Sequence, residues 1–278
     1  MKFLRHGEPG QEKPGLLHGD GTIRDLSAHV PDLGGEVLTR LPDLAAIDAA
    51  SLPVVPADTR LGPCVAGTGK FICIGLNYSD HAAETGAKVP PEPIIFMKAT
   101  SAICGPNDPI LIPRGSVKTD WEVELGVVIG KRGKYLTEAQ APAHIAGYCV
   151  INDVSERAFQ AERSGQWTKG KSCDNFGQTG PWLVTPDEVP DPQALKMWLT
   201  VDGQTMQNGS TATMVYGVHF LVSYLSQFFT LHPGDIISTG TPPGVGLGMK
   251  PPRFLRAGEV VELGIEGLGR QRQVCIQD

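Results

Sequence analysis

Apolar positions fall in short runs separated by turn-forming residues rather than in long amphipathic stretches. Phe71–Leu76, Ile94–Met97, Glu122–Ile129, Tyr148–Asn152, Trp198–Val201, Asp235–Ser238 and Val260–Ile265 have the length and β-branched content of strands, with Gly, Pro, Asn and Asp between them. Asp202-Gly203, between Leu-Thr-Val and Gln-Thr-Met, predicts a two-residue hairpin. Helices are few. One is expected after Thr137, where Gln140 completes a capping box, one from Ser155 to about Arg163, and one from Thr213 to Phe229. The last has apolar residues at 214, 218, 221, 222, 225 and 229, the stripe of a helix packed on a sheet. Near the start, Gly15-Leu-Leu, a His-Gly-Asp-Gly turn and Thr22–Leu26 predict a hairpin, and a Pro-rich loop from Pro53 to Pro63 follows. The pattern predicts a small N-terminal domain over 1–65 and a larger domain over 66–278. The fold class is mainly β with flanking helices (α+β).

Composition narrows the function. With 34 Gly and 23 Pro in 278 residues, turns and short strands displace any helical bundle. A net charge of −6 without a Lys/Arg run gives no footprint for nucleic acid or an anionic membrane, so a small-molecule partner is expected. Val215–Leu231, the most apolar stretch, carries His219, Ser223, Ser226 and Gln227 and falls short of a membrane span. Charge and turn formers in MKFLRHGEPG interrupt any secretory h-region. Six cysteines without a CxxC read as reduced, buried thiols, and the expected location is the cytoplasm.

Candidate chemistry concentrates in four segments. In Trp121-Glu-Val-Glu-Leu-Gly-Val-Val-Ile129 the strand period of two puts Glu122 and Glu124 on one face, about 6.6 Å apart along the chain. At that spacing two carboxylates repel by ~2.5 kcal/mol at an effective dielectric near 20. Water offsets this on a wet strand face, and a cation or shared proton offsets it in an enclosed one; hard oxygen donors select Mg²⁺, Ca²⁺ or Mn²⁺ over zinc. Asp153 ends the run Gly147–Asp153, where it could cap a helix or join the two glutamates in a one-sided metal site. His81 and Glu84 are neighbours at i, i+3 if their segment is helical, which would let the carboxylate orient the imidazole as a general base. Gly165-Gln-Trp-Thr-Lys-Gly-Lys-Ser172 satisfies the P-loop pattern letter for letter. It lacks the preceding buried strand and following helix that phosphate binding needs, and Cys173–Pro181 reads as loop. Lys171 is left as an anion-binding or a solvated lysine.

Gly75-Leu-Asn-Tyr-Ser-Asp-His81-Ala-Ala-Glu84, Ile95-Phe-Met-Lys98, Glu122-Val-Glu124, Asn152-Asp153-Val-Ser-Glu-Arg157, Gly170-Lys171-Ser and Gly234-Asp-Ile-Ile-Ser-Thr-Gly-Thr241-Pro-Pro-Gly-Val-Gly occur in this order. The set resembles the ordered motifs of the fumarylacetoacetate hydrolase superfamily over about residues 66–275, with Gly-Thr-Pro-x-Gly-Val-Gly the most specific part. The resemblance implies a β-sandwich roll with a small N-terminal domain, a homodimer, and a bound Mg²⁺ or Mn²⁺. It assigns Glu122, Glu124 and Asp153 as metal ligands, His81 and Glu84 as a water-activating dyad on a lid, and Lys171 as a lysine that engages the substrate. Gln160 and Thr241 match substrate-contacting positions, and Lys98 and Arg157 match motif residues placed in a supporting shell.

The implied activity is C–C bond hydrolysis in a ketonic substrate. A 2,4-diketo acid, with 2,4-diketo-3-deoxy-L-fuconate or L-rhamnonate as the specific expectation, would give pyruvate and a carboxylic acid. Oxaloacetate decarboxylation and hydroxymuconate-type isomerisation use the same kind of site and stay open. A non-catalytic keto-acid binder and a nucleotide-binding regulator are the remaining rivals.

Overall fold

In a computed structural model of the chain, residues 1–80, 84 and 89–278 are described. The central element is a sheet in which Ile23–Asp25, Lys13–Leu17, Lys2–His6, Gly177–Val184, Ile145–Asp153, Val123–Ile129, Ile236–Ser238, Phe71–Gly75 and Ile94–Lys98 lie side by side in that order. Ile103–Cys104 adds a short parallel pairing to Gly177–Val184. Neighbours along the main path are antiparallel except Ile236–Ser238 and Phe71–Gly75, which run parallel. A second sheet orders Gln204–Ser210, Lys196–Val201, Val260–Ile265, Gly269–Gln277 and Ile110–Ile112.

The strand period explains how these layers stack. Val123, Leu125, Val127 and Ile129 point to one face, where they share a core with Met197, Leu199, Val201, Val261 and Leu263 of the second sheet. Val218–Phe228 seals the same core with Val218, Leu221, Val222 and Leu225, the i, i+3, i+4, i+7 stripe read from the sequence. On the opposite face Val128, Cys149, Ile151, Phe71 and Ile236 pack against Phe3, Leu16, Leu33, Leu38 and Leu41. The first 65 residues therefore lie on their own chain: three strands extend the sheet edge and the rest covers part of one face. All six cysteines are unpaired and five are buried, as their spacing suggested.

Most predicted strands are present within a residue or two, and the hairpin turn has positive φ at both Asp202 and Gly203, as a type I′ turn requires. Four expectations change. The segment read as loop after Ser172 contains Gly177–Val184, a central strand between Lys2–His6 and Ile145–Asp153. Its two Gly and its Pro are poor strand formers, and pairing on both sides supplies what these residues do not. The predicted Thr213–Phe229 helix begins only at Val218, because Gly217 caps it and Thr211–Thr213 forms a separate 3-10 turn. The Ser155–Arg163 helix shortens to Arg157–Ala161, after Ser155–Glu156 pairs with Thr119–Asp120. The helix after Thr137 is a 3-10 helix, Glu138–His144, with the predicted Thr137/Gln140 capping box.

Candidate metal centre

Glu122, Glu124, Gly126 and Val128 share one face, so the row passes from carboxylates to a hydrocarbon within four positions. Gly126 marks the change: a Cβ there would lie 2.6 Å from both Cys149 Sγ and Ile151 Cδ1. The next strand brings Asp153 alongside, as its last residue rather than as a helix cap; Glu156 caps the following helix by accepting from Ala158 N–H. Oxygens of Glu122, Glu124 and Asp153 converge to within 4.8 Å of one another, all buried. The wet-face alternative for the two glutamates is thereby excluded.

Side chains from other elements hold the glutamate pair by its backbone. Asn152 Oδ1 accepts from Glu122 N–H at 3.2 Å and Gln207 Oε1 accepts from Val123 N–H at 3.0 Å. Thr241 Oγ1 donates to Val123 C=O at 2.8 Å and itself accepts from Gln207 Nε2 at 2.8 Å. Gln207 also donates to Pro242 C=O, so one buried amide links the ligand strand to the Thr-Pro-Pro-Gly loop. Gln207 was not found from the sequence. It sits in a strand, Gln204–Ser210, that is polar at nearly every position, so nothing local distinguishes it from a surface residue.

Three cations offset the buried charge. Lys171 Nζ donates to Glu122 at 2.6 Å and to Asp153 at 2.7 Å. Lys98 Nζ binds the other Asp153 oxygen at 2.5 Å and Val154 C=O at 3.0 Å. Arg157 bridges Glu122 at 2.7 Å, Asp120 at 2.8 Å and Gln160 at 3.1 Å. Asp120 in turn accepts the N–H groups of Gly246 and Leu247 at 2.7 and 3.0 Å, fixing the glycine-rich loop. Four carboxylates thus face three cations. Burial alone would raise the Glu122 carboxyl, but Arg157 and Lys171 override it and hold it down at about 2. Glu124 lacks such a partner: burial, then the charges of Asp153 and Glu122, push it up to about 8, although Ser238 Oγ and Gly240 N–H donate to it. Lys171 is driven upward by Asp153 and Glu122 against its own burial.

A hard-oxygen trio with one carboxylate of surplus charge fits a divalent cation. Glu122 and Glu124 line a cavity of about 300 Å³, together with Arg157, Gln160, Lys171 and Thr241. Lys98 is not among its lining residues; its ammonium is spent on Asp153 and Val154. His81 lies outside the described residues. Glu84 is described, and its carboxylate accepts the Gly244 N–H at 3.1 Å, on the same loop that supplies Val245 and Leu247 to the cavity.

The P-loop pattern receives a different explanation. Thr168–Lys171 is one helical turn beside Arg157–Ala161. A Cβ at Gly170 would lie 2.4 Å from Gln160 N and Glu156 O, so glycine permits the contact of these two turns. Trp167 and Lys171, four apart, both line the cavity.

Comparison with known proteins gives the family and the fold. Residues 70–275 match the fumarylacetoacetate (FAA) hydrolase C-terminal family, and the chain belongs to that family. A Burkholderia multivorans protein, whose curated name goes no further than hydrolase, is 64% identical over 277 residues, covering 99% of this chain and 98% of its own. Among solved structures, a fumarylacetoacetate hydrolase of Exiguobacterium antarcticum superposes with a TM-score of 0.88 at 35% identity, over all of both chains. A 2-hydroxyhepta-2,4-diene-1,7-dioate isomerase of Mycobacterium marinum gives 0.81 at 32%, over 100% of this chain and 99% of its own. A Sphingobium maleylpyruvate hydrolase, solved with manganese(II) and pyruvate, gives 0.81 at 28% with the same coverage. Among the described residues no helix is long and apolar enough to cross a membrane.

Proposed function

We propose that the protein is a divalent-metal-dependent hydrolase that cleaves the C3–C4 bond of a 2,4-diketo acid to give pyruvate and a carboxylic acid. The observation that carries this reading is the buried convergence of Glu122, Glu124 and Asp153, with the two glutamates lining a cavity whose other polar walls are Lys171, Arg157, Gln160 and Thr241. Mg²⁺ or Mn²⁺ held by the three carboxylates would supply Lewis acidity toward the 2-oxo group and the enolate left by cleavage. In this reading Lys171, paired with Glu122 and Asp153 in the metal-free protein, would meet the developing negative charge, and Gln160, whose carbonyl accepts from Arg157, would offer its amide N–H groups to a substrate oxygen. His81 with Glu84 is proposed to take a proton from water. The hydroxide oxygen bonds to C4, the C3–C4 electron pair becomes the enolate of pyruvate, and C3 then takes up a proton.

The specific substrate we favour is 2,4-diketo-3-deoxy-L-fuconate, which is the same molecule as the L-rhamnonate derivative because only C5 stays stereogenic; its CH(OH)CH₃ tail would give lactate beside pyruvate. The isomerase likeness keeps hydroxymuconate-type isomerisation, and with it oxaloacetate decarboxylation, as the second reading. Product analysis decides between them. EDTA-treated protein is recharged with Mg²⁺ or Mn²⁺ and given acetylpyruvate, the 6-deoxy diketo acid, a hydroxymuconate-type diacid and oxaloacetate. Metal-dependent pyruvate plus a carboxylic acid is expected from the diketo acids; CO₂ from oxaloacetate, or an isomerised diacid, without diketo cleavage would overturn hydrolysis. A cytoplasmic homodimer is part of the proposal and is tested by fractionation and by light scattering.

A further inference from the structure

The cavity has a second set of walls that the proposed chemistry leaves unused. Leu76, Phe96, Trp167 and Leu247 line it alongside the polar residues. Phe96 and Trp167 meet edge to face, with ring centroids 5.2 Å apart. Trp167 also lies against Gly75, where a Cβ would come within 2.7 Å of its ring. Leu76 sits in the left-handed region at φ 51, a costly conformation for leucine that places an apolar side chain at this wall. Leu247 is half exposed on the loop that Asp120 anchors.

The polar lining is already committed. Arg157 pairs with Asp120 and Glu122, Lys171 with Glu122 and Asp153, and Thr241 bonds Val123 and Gln207. Gln160 Oε1 accepts from Arg157, which leaves its amide N–H groups for a ligand oxygen. Every cation of the described lining thus faces a carboxylate of the protein.

We infer that Leu76, Phe96, Trp167 and Leu247 form a tail subsite that selects 2,4-diketo acids ending in hydrocarbon over those ending in a hydroxyl or a carboxylate. This rests on the proposed C–C hydrolysis and adds the determinant of specificity. A CH(OH)CH₃ tail places its methyl on the apolar wall. A CH(OH)CH₂OH tail must bury a further hydroxyl, and a tail carboxylate meets no unpaired cation among the described lining residues.

The test measures kcat/KM with Mg²⁺ for acetylpyruvate, 2,4-diketo-3-deoxy-fuconate, its 6-hydroxy counterpart, hexanoylpyruvate and maleylpyruvate. The 6-deoxy acid should exceed its 6-hydroxy counterpart by about ten- to a hundredfold. Hexanoylpyruvate should gain up to about fourfold over acetylpyruvate for each methylene buried. Trp167→Ala should bring both ratios towards one. The exposed Leu247→Ser, which leaves the core intact, should lower them in the same direction. Acetylpyruvate cleavage with equal or reversed tail preference, or ratios unchanged in both variants, would overturn the tail subsite alone. No metal-dependent pyruvate from any of the five would overturn the hydrolase reading together with it.

Discussion

The segment from Glu122 to Ile129 behaves as two different materials. Its later half, Val127 to Ile129, is buried hydrocarbon on both faces, and its backbone pairs with Ile145–Asp153 and Ile236–Ser238. Its first half carries two buried carboxylates; its backbone also pairs with Ile145–Asp153, and the side chains of Asn152, Gln207 and Thr241 hold further peptide groups. One half contributes burial energy. The other buries carboxylates whose charge Lys98, Lys171 and Arg157 offset only in part, which leaves Glu124 without a cation partner among the described residues. Charge placement, more than cavity size, therefore identifies the site. The larger cavity, about 470 Å³ between Leu38–Pro42 and Ala143–Ala146, has no such carboxylate cluster among the described residues.

Breaking the charged half should have the largest effect. Glu124→Gln keeps the shape and an oxygen to accept from Ser238 and Gly240 but removes one candidate ligand charge. We expect kcat/KM to fall about a thousandfold, equivalent to several kcal/mol of lost electrostatic stabilisation. The thermal midpoint of EDTA-treated protein at pH 8.5, a condition chosen about half a unit above the Glu124 value, should not fall, because a buried charge has been removed. Calorimetric metal titration and a thermal melt separate the two effects, and full activity in this variant would remove Glu124 from the metal site.

The same carboxyl makes a pH prediction. In the metal-free protein Glu124 is raised from 4.5 to about 8, so it is protonated below that value and must lose its proton to serve as a ligand. Metal affinity should fall as pH drops below about 8, by up to about tenfold per unit. Stability of the metal-free protein runs the other way: the folded form holds a proton that the unfolded form has lost between 4.5 and about 8, so this contribution declines as pH rises through that window. Metal titrations at pH 6, 7 and 8 check the first statement, and a flat affinity profile would contradict the assignment of Glu124.

Much of the charged half could be read from the sequence because its chemistry is local. Glu-x-Glu on a strand fixes a shared face, and the ordered motifs add Asp153, Lys171, Gln160 and Thr241. What escaped depends on contacts distant in sequence. Gln207 lies 84 residues from Val123, and nothing near it marks it as buried. Arg157 and Lys98 could be picked out as motif residues, but their tasks emerge only from the distances to Asp120, Glu122 and Asp153. Gly177–Val184 escaped for the opposite reason: its residues look like turns, and the sheet imposes the strand.

Gln207→Met tests the side-chain clamp. The replacement is close in volume, fills the same space and removes the acceptor for Val123 N–H and the donor to Thr241. A merely structural role predicts only destabilisation, about 1–3 kcal/mol for a buried unpaired N–H. A positioning role predicts in addition that metal affinity falls about ten- to a hundredfold, the range for groups that orient ligands from behind. Metal titration at a temperature where the variant is fully folded separates these outcomes.

The hydrocarbon half should give the smallest effect on the site. Val127→Ala removes buried apolar volume in a core shared with the second sheet and touches none of the groups that hold Glu122 or Glu124. We expect a loss of about 2 kcal/mol from lost burial and the cavity left behind. Metal affinity below the unfolding transition should be unchanged. A fall in both stability and affinity would show that packing three residues beyond the nearest candidate metal ligand already governs carboxylate geometry, and that Gly126 does not insulate one half of the strand from the other.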